Sequence, residues 1–371
     1  MKIVIAYASA GTGHLKAAEA LYHCFTNEHP EVEVKLIDII ESSCSFFSFA
    51  YRFGYSLLVK YTPLLWSLAF RVTGAGLLAG LAKRLKLTVE HLSTADFTRL
   101  LIRENPDVII STHFAPPETA AHLKQTSKIK SRLITVITDF GVHPFWITEG
   151  TDLYLVASDF TKSRLLARGV SETKIKVTGI PVDAKFFKQY PRDELCRKLG
   201  LESGRFNVLI ASGSFGIGPI EELIDLLYKE VQLLVVCAGN KDLYRKLKAK
   251  NYPSVYAFGF IDNIQELMAV SEVIIGKPGG LTISEGLAMN LFPIFITVIP
   301  GQESENVKAL AEEGIGIYST DMQHIKEVVL DLKNNPDRLN SIRQNIRRTQ
   351  RPYAAREICN AVCEGSIWPS H

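Results

Sequence analysis

Between Glu272 and Val298 the chain reads EVIIGKPGGLTISEGLAMNLFPIFITV, and this stretch admits few folds. A short β-branched run, Glu272 to Ile275, breaks at Pro278-Gly279-Gly280, and a helical period opens at Leu281. A second apolar run, Phe292 to Val298, follows. Strand, glycine turn, helix and strand at this spacing make a βαβ unit, which belongs to a parallel sheet. A glycine turn at a helix start lets backbone N–H groups approach an anion, and the helix dipole favours the negative charge. The turn from Lys277 through Gly279, Gly280, Leu281 and Thr282 is therefore a phosphate site by expectation, with Glu285 one turn into the helix. Gln302, Glu303 and Asn306 form a second polar turn on the same sheet edge. A second reading is open here. Thr282 to Glu285 also fits a capping box, with Thr282 at the N-cap and Glu285 reaching back.

The same alternation runs along the whole chain. Apolar runs at Lys2 to Ala8, Val32 to Ile37, Val108 to Ser111, Leu133 to Thr138 and Leu153 to Ala157 are separated by helical patterns, the first from Leu15. A helix from about Phe160 stops at Gly169, and Ile175 to Val182 leads out of the first half. A second series begins at Phe206 to Ala211 and continues through Leu233 to Cys237, Val255 to Phe258 and Val273 to Ile275. A chain of 371 residues exceeds one typical core. The expected fold is α/β, with two doubly wound Rossmann-like domains facing a cleft. The expected divisions are 1–185, 186–350 and a C-terminal helix within 351–371.

Composition narrows the function. A net charge of +3 gives no argument for nucleic acid, and no basic-aromatic recognition motif of that kind is present. The six cysteines form no CxxC pair and have no histidine at zinc spacing, which points to reduced thiols in the cytoplasm. The first strand follows Met1 at once, so no signal peptide is expected.

After the first strand, Gly11 and Gly13 lead into His14 and a helix. A helix start disfavours imidazolium, so a neutral His14 is expected to accept a proton from an alcohol. Gly11 and Gly13 give phosphates access to the backbone. His113, Asp139 and His143 follow other strands of the same domain, Asp139 placed either to orient a histidine or to cap the next turn. In the second domain, Gly213 and Ser214 lie in a small-residue turn after its first strand. Phe258, Gly259, Phe260 and Ile261 end another strand, and Asp262 to Gln265 fits a further capping box. No Asp-x-Asp occurs, so a bound diphosphate is expected to be neutralised by glycine turns and helix dipoles, with no metal cofactor.

Ser42 to Val89 contains no acid, in a chain with 39 Asp and Glu. It holds Arg52, Lys60, Arg71, Lys83, Arg84 and Lys86 beside aromatics that include Trp66. Cations among aromatics suit a helical insertion lying in an anionic headgroup layer, each base contributing about 1 kcal/mol. A helical hairpin packed on the core is the other reading. Pro63, Arg71 and three glycines argue against a membrane-spanning segment over Tyr61 to Ala82.

The Gly-Gly-Leu-Thr…Glu and Pro-Gly-Gln-Glu pair, with the Gly-x-Gly-His turn, resembles family 28 of the glycosyltransferases. That group holds monogalactosyldiacylglycerol synthases, bacterial diacylglycerol glucosyltransferases and MurG. The resemblance implies a GT-B fold whose last helix returns to the first domain. It implies that the Gly279 and Gly213 turns hold the donor diphosphate, that Glu285 binds ribose, and that Phe258 to Ile261 meet the base. His14 would activate the acceptor hydroxyl, and Thr138 to Trp146 would form the acceptor-side loop. The implied activity is hexosyl transfer from a UDP-hexose to diacylglycerol, at the cytoplasmic face of a membrane with a peripheral enzyme. A MurG-like transferase, a UDP-sugar epimerase and a non-catalytic nucleotide-sugar-binding protein are the alternatives.

Overall fold

The computed structural model of the chain describes residues 1–9, 12–41, 95–211, 219–298 and 302–368, with Gln302 described by its backbone alone. It contains two compact units. The first comprises Met1–Asp183, Ile299–Glu305 and Tyr353–His371, and the second Ala184–Val298 and Asn306–Pro352.

In the first unit six parallel strands run in the order β2-β1-β3-β4-β5-β6. They are β1 (Lys2–Tyr7), β2 (Glu33–Asp38), β3 (Val108–Ser111), β4 (Arg132–Val136), β5 (Leu153–Val156) and β6 (Ile175–Val177). Both faces of β1 are buried, as a parallel sheet requires. Its alternate residues Ile3 and Ile5 join a core with Leu21 and Phe25 of helix α1 (Thr12–Glu28). Val4 and Ala6 face the opposite core with Phe97 and Leu101 of α2 (Ala95–Glu104) and Ala120 of α3 (Pro116–Gln125). Helix α4 (Asp159–Leu166) is capped by Ser158, and Gly169 takes a φ of +82° just beyond its end.

The second unit repeats the plan, with strand order β12-β11-β10-β7-β8-β9, all parallel. Its strands are β7 (Asn207–Ala211), β8 (Gln232–Val236), β9 (Val255–Phe258), β10 (Val273–Gly276), β11 (Phe292–Phe295) and β12 (Ile317–Tyr318). Helices α5 (Arg192–Leu199), α6 (Ile220–Leu227), α7 (Lys241–Lys250), α8 (Ile264–Ala269), α9 (Gly280–Ala288), α10 (Gln302–Glu312), α11 (Met322–Asn334) and α12 (Pro336–Thr349) follow in order. The last helix, α13 (Ala354–Cys363), lies in the first unit, where Ala355, Ile358, Cys359 and Val362 share the core of Leu21 and Phe25.

Three local expectations are corrected. Helix α1 opens at Thr12, three residues ahead of Leu15, which puts His14 inside the first turn. The N-cap of α9 is Gly279, not Thr282, because Gly279 is still extended and the chain turns helical at Gly280; Thr282 is the third helical residue. The N-cap of α8 is Asn263, not Asp262, and its amide donates to Glu266 at 2.8 Å rather than capping the backbone.

Among the described residues no helix is long and apolar enough to cross a membrane. The acid-free stretch, with Arg52, Lys60, Trp66, Arg71, Lys83, Arg84 and Lys86, lies outside the described residues, as do Gly11, Gly213 and Ser214.

Candidate active site

In each sheet the strand order reverses once, between β1 and β3 in the first unit and between β7 and β10 in the second. Ligands of open α/β sheets bind beyond the carboxyl ends of the strands at such a point. The turns that leave there are the ones singled out from sequence. Gly13 and His14 follow β1, and His113 follows β3. Lys277 to Gly279 follow β10.

In the first unit the strand ends converge on a cluster of imidazoles and aromatic rings. The His14 and His113 rings meet edge to face at 4.7 Å, and Trp146 lies 6.0 Å from His14. Phe114 stacks on His113 at 4.1 Å, and Phe145 lies 4.4 Å from His143. Asp139 is buried in the loop after β4.

Hydrogen bonds fix the tautomers. His14 Nδ1 lies 2.8 Å from the Thr112 carbonyl oxygen and 2.9 Å from Thr138 Oγ1. A carbonyl only accepts, so Nδ1 carries the hydrogen and the basic lone pair is on Nε2. Thr112 returns the contact, its hydroxyl donating to the His14 carbonyl at 2.8 Å. Thr138 donates to the same Thr112 carbonyl at 3.5 Å. His113 and His143 are the opposite tautomer. Each accepts a backbone N–H at Nδ1, from Ala115 and Phe145 respectively, both at 3.2 Å. That leaves Nε2–H as the donor on both rings.

Burial sets the His14 charge. Loss of hydration lowers its pKa from 6.5 to about 4, against a smaller upward pull from the Thr112 carbonyl. The ring is neutral at pH 7, with desolvation the largest cause of the shift. Sequence reasoning named the segment holding Thr138 without giving that residue a role, and it did not single out Thr112. Their bonds to His14 span 124 and 98 residues. The available signal was a run of small polar residues at two adjacent strand ends.

In the second unit α9 opens without any side-chain cap. The Gly279 carbonyl accepts the Ile283 N–H at 2.9 Å, so the helix ladder starts at Ile283 and the N–H groups of Gly280, Leu281 and Thr282 head the helix. Such donors, with the dipole behind them, hold anionic oxygens. The turn is braced from below: the fully buried Asn306 amide donates to the Pro278 carbonyl at 2.9 Å. Glu285 is half-buried on α9 and Lys277 half-buried in the turn. Phe258, Gly259, Phe260 and Ile261 end β9, three strands from β10, about 14 Å by interstrand spacing. Phe260 is 81% exposed there. Glu303, buried, stands in the first turn of α10, in the part of that helix that belongs to the first unit.

Family models match both halves. Residues 14–182 match the monogalactosyldiacylglycerol (MGDG) synthase model, and residues 207–358 match the glycosyltransferase family 28 C-terminal domain. A Staphylococcus epidermidis protein named processive diacylglycerol beta-glucosyltransferase is 30% identical, over 98% of this chain and 92% of its own length. In fold, the chain resembles the crystal structure of MurG from Acinetobacter baumannii, with a TM-score of 0.63, 13% identity and coverage of 98% and 99% of the two chains. It also resembles UDP-GlcNAc 2-epimerase from Neisseria meningitidis bound to UDP-GlcNAc, with a TM-score of 0.61, 13% identity and coverage of 98% and 100%. Those two likenesses speak for the architecture alone. The near full-length relative, together with the models matched by the two halves, shows that this chain belongs to the family 28 glycosyltransferases.

Proposed function

We propose that the protein transfers a hexosyl group from UDP-glucose or UDP-galactose to the hydroxyl of diacylglycerol at an anionic membrane surface, with His14 as base and without a metal at the reacting centre. The observation that carries this reading is the His14 ring, neutral at pH 7 and held through Nδ1 so that Nε2 is basic. As the acceptor oxygen bonds to the anomeric carbon, Nε2 takes its proton and the bond from that carbon to the UDP oxygen breaks. The departing diphosphate gathers negative charge, which the N–H groups heading α9 stabilise. Glu285 binds the ribose hydroxyls, and Phe258 to Ile261 meet the base. His113 and His143, as N–H donors, orient the acceptor, and Asp139 supports them. The diacylglycerol acceptor follows the name of the Staphylococcus epidermidis relative, which also names glucose, while one matched family model names galactose.

The test is transfer from labelled UDP-glucose and UDP-galactose to diacylglycerol in vesicles. The expected result is a labelled glycolipid from at least one donor, more of it on anionic than on neutral vesicles at low salt, and undiminished in excess EDTA at 25 °C. Epimeric UDP-hexose with no lipid product would replace transfer with epimerisation. Activity lost to EDTA and restored by magnesium or manganese would overturn the metal-free centre.

A further inference from the structure

At the other end of α1, away from His14, three electron-pair donors from two distant parts of the sequence meet. The helix closes at Glu28, and the His29 N–H continues the ladder onto the Phe25 carbonyl at 2.9 Å. The Val32 N–H then bonds back to the His29 carbonyl at 3.0 Å, which holds the turn into β2. Against this turn lies the end of α13, carrying Asn360 and Cys363. The His29 and Glu31 ligand atoms and the Cys363 sulfur all lie within 4.8 Å of one another.

The His29 ring is oriented for coordination. Its Nε2 lies 2.8 Å from the Asn360 side-chain oxygen, a bond across 331 residues that places the ring hydrogen on Nε2. The lone pair of the neutral ring is then on Nδ1, which lies 3.5 Å from a Glu31 carboxylate oxygen. A lone pair facing a carboxylate, with a thiol beside both, is an arrangement that a cation stabilises. Metal-binding histidines commonly donate the second ring N–H to a carbonyl in this way.

We propose that His29 Nδ1, a Glu31 carboxylate oxygen and Cys363 Sγ bind a zinc-type divalent cation that clamps the C-terminal helix to the turn between α1 and β2. Sulfur and imidazole select zinc over magnesium or calcium. Bond lengths of about 2.0–2.3 Å need the donors slightly closer than they stand. Glu31, whose side chain is 67% exposed, has the freedom to supply that movement. On binding, the Cys363 thiol proton leaves to solvent and the thiolate bonds the metal. Solvent fills the fourth position. The clamp is structural: at the helical rise it lies about 22 Å along α1 from His14, so it stands apart from the glycosyl-transfer chemistry.

The full-length protein, freed of metal by chelator, is titrated with zinc chloride while melting temperature and bound zinc are followed. The expected result is a single bound equivalent with a rise in melting temperature, and no rise with magnesium chloride. Cobalt in place of zinc should show a sulfur-to-metal charge-transfer band. Cys363→Ser should abolish the band and the thermal shift, while Cys24→Ser, which alters a neighbouring thiol, should keep both. Asn360→Ala should weaken zinc binding by about 10–100-fold, the usual effect of losing such a supporting bond. Wild-type protein that binds no more zinc than Cys363→Ser overturns the proposal. So does a charge-transfer band that follows Cys24 instead of Cys363. Because transfer is read separately, failure of the clamp leaves the enzymatic reading untouched.

Discussion

At His14 two interactions act on the ring in opposite directions: burial strips water from the charged form, and the Thr112 carbonyl favours it. Burial is the larger, and the pKa falls to about 4. The folded pKa then lies below the unfolded value of 6.5, so between those values the unfolded chain binds more protons. The neutral ring is therefore no burden on the fold above pH 6.5, and stability declines as pH falls from there towards about 4. For catalysis the same shift keeps the base active in mild acid. The acidic limb that His14 imposes on kcat/KM should lie near pH 4, since that ratio reports groups of the free enzyme. A limb near 6.5 would mean that the half-buried ring keeps its hydration in the working enzyme. At this scale the sequence was readable for the residue and not for its surroundings. A Gly-x-Gly-His turn marks His14 by local spacing, whereas its tautomer depends on Thr112 and Thr138, which the β1–β3–β4 neighbourhood brings together. The contribution of burial was not legible there, because one turn of sequence contains no measure of it.

Helix α9 shows the same division at the scale of an element. Strand β10, its glycine turn and the helix were legible because the hydrophobic period changes across Pro278-Gly279-Gly280. The start of the helix was not: Thr282 satisfies a capping pattern, but the Pro278 carbonyl is held by the buried Asn306 and the helix opens at Gly280. With Gly279 as N-cap, the capping-box role assigned to Glu285 falls away and its ribose role stands as the proposal. Glu285→Ala should weaken UDP binding by roughly 1.5–3 kcal/mol, the range for hydrogen bonds to a charged group, with a much smaller change in melting temperature. Calorimetry showing wild-type UDP affinity in this variant would remove Glu285 from the nucleotide site. Strand β12 was missed outright. Its two residues, Ile317 and Tyr318, are too few to show any period, and only their pairing with β11 makes them a strand.

Over the whole molecule, the alternation of apolar runs with helical segments was enough to indicate two parallel sheets, because central runs such as β3 and β7 are buried on both faces and read as nearly continuous hydrophobicity. Strand order was not written in that alternation. It arises from which helix covers which face, and it places the first turn of α1, with Gly13 and His14, and the Lys277–Gly279 turn at the reversals of their sheets. The return of α13 to the first unit was likewise invisible locally: its apolar stripe shows that it packs, while the complementary surface belongs to α1, at the opposite end of the chain. The central claim unites these scales, since it requires the turn after β1 to deliver a base and not a nucleotide ligand. Steady-state turnover of His14→Ala, measured beside its UDP affinity, tests that claim most directly. The account predicts a fall in kcat of roughly 10²–10⁴-fold with UDP binding almost unchanged. A variant that keeps most of its turnover, or that loses UDP binding in proportion, would contradict it.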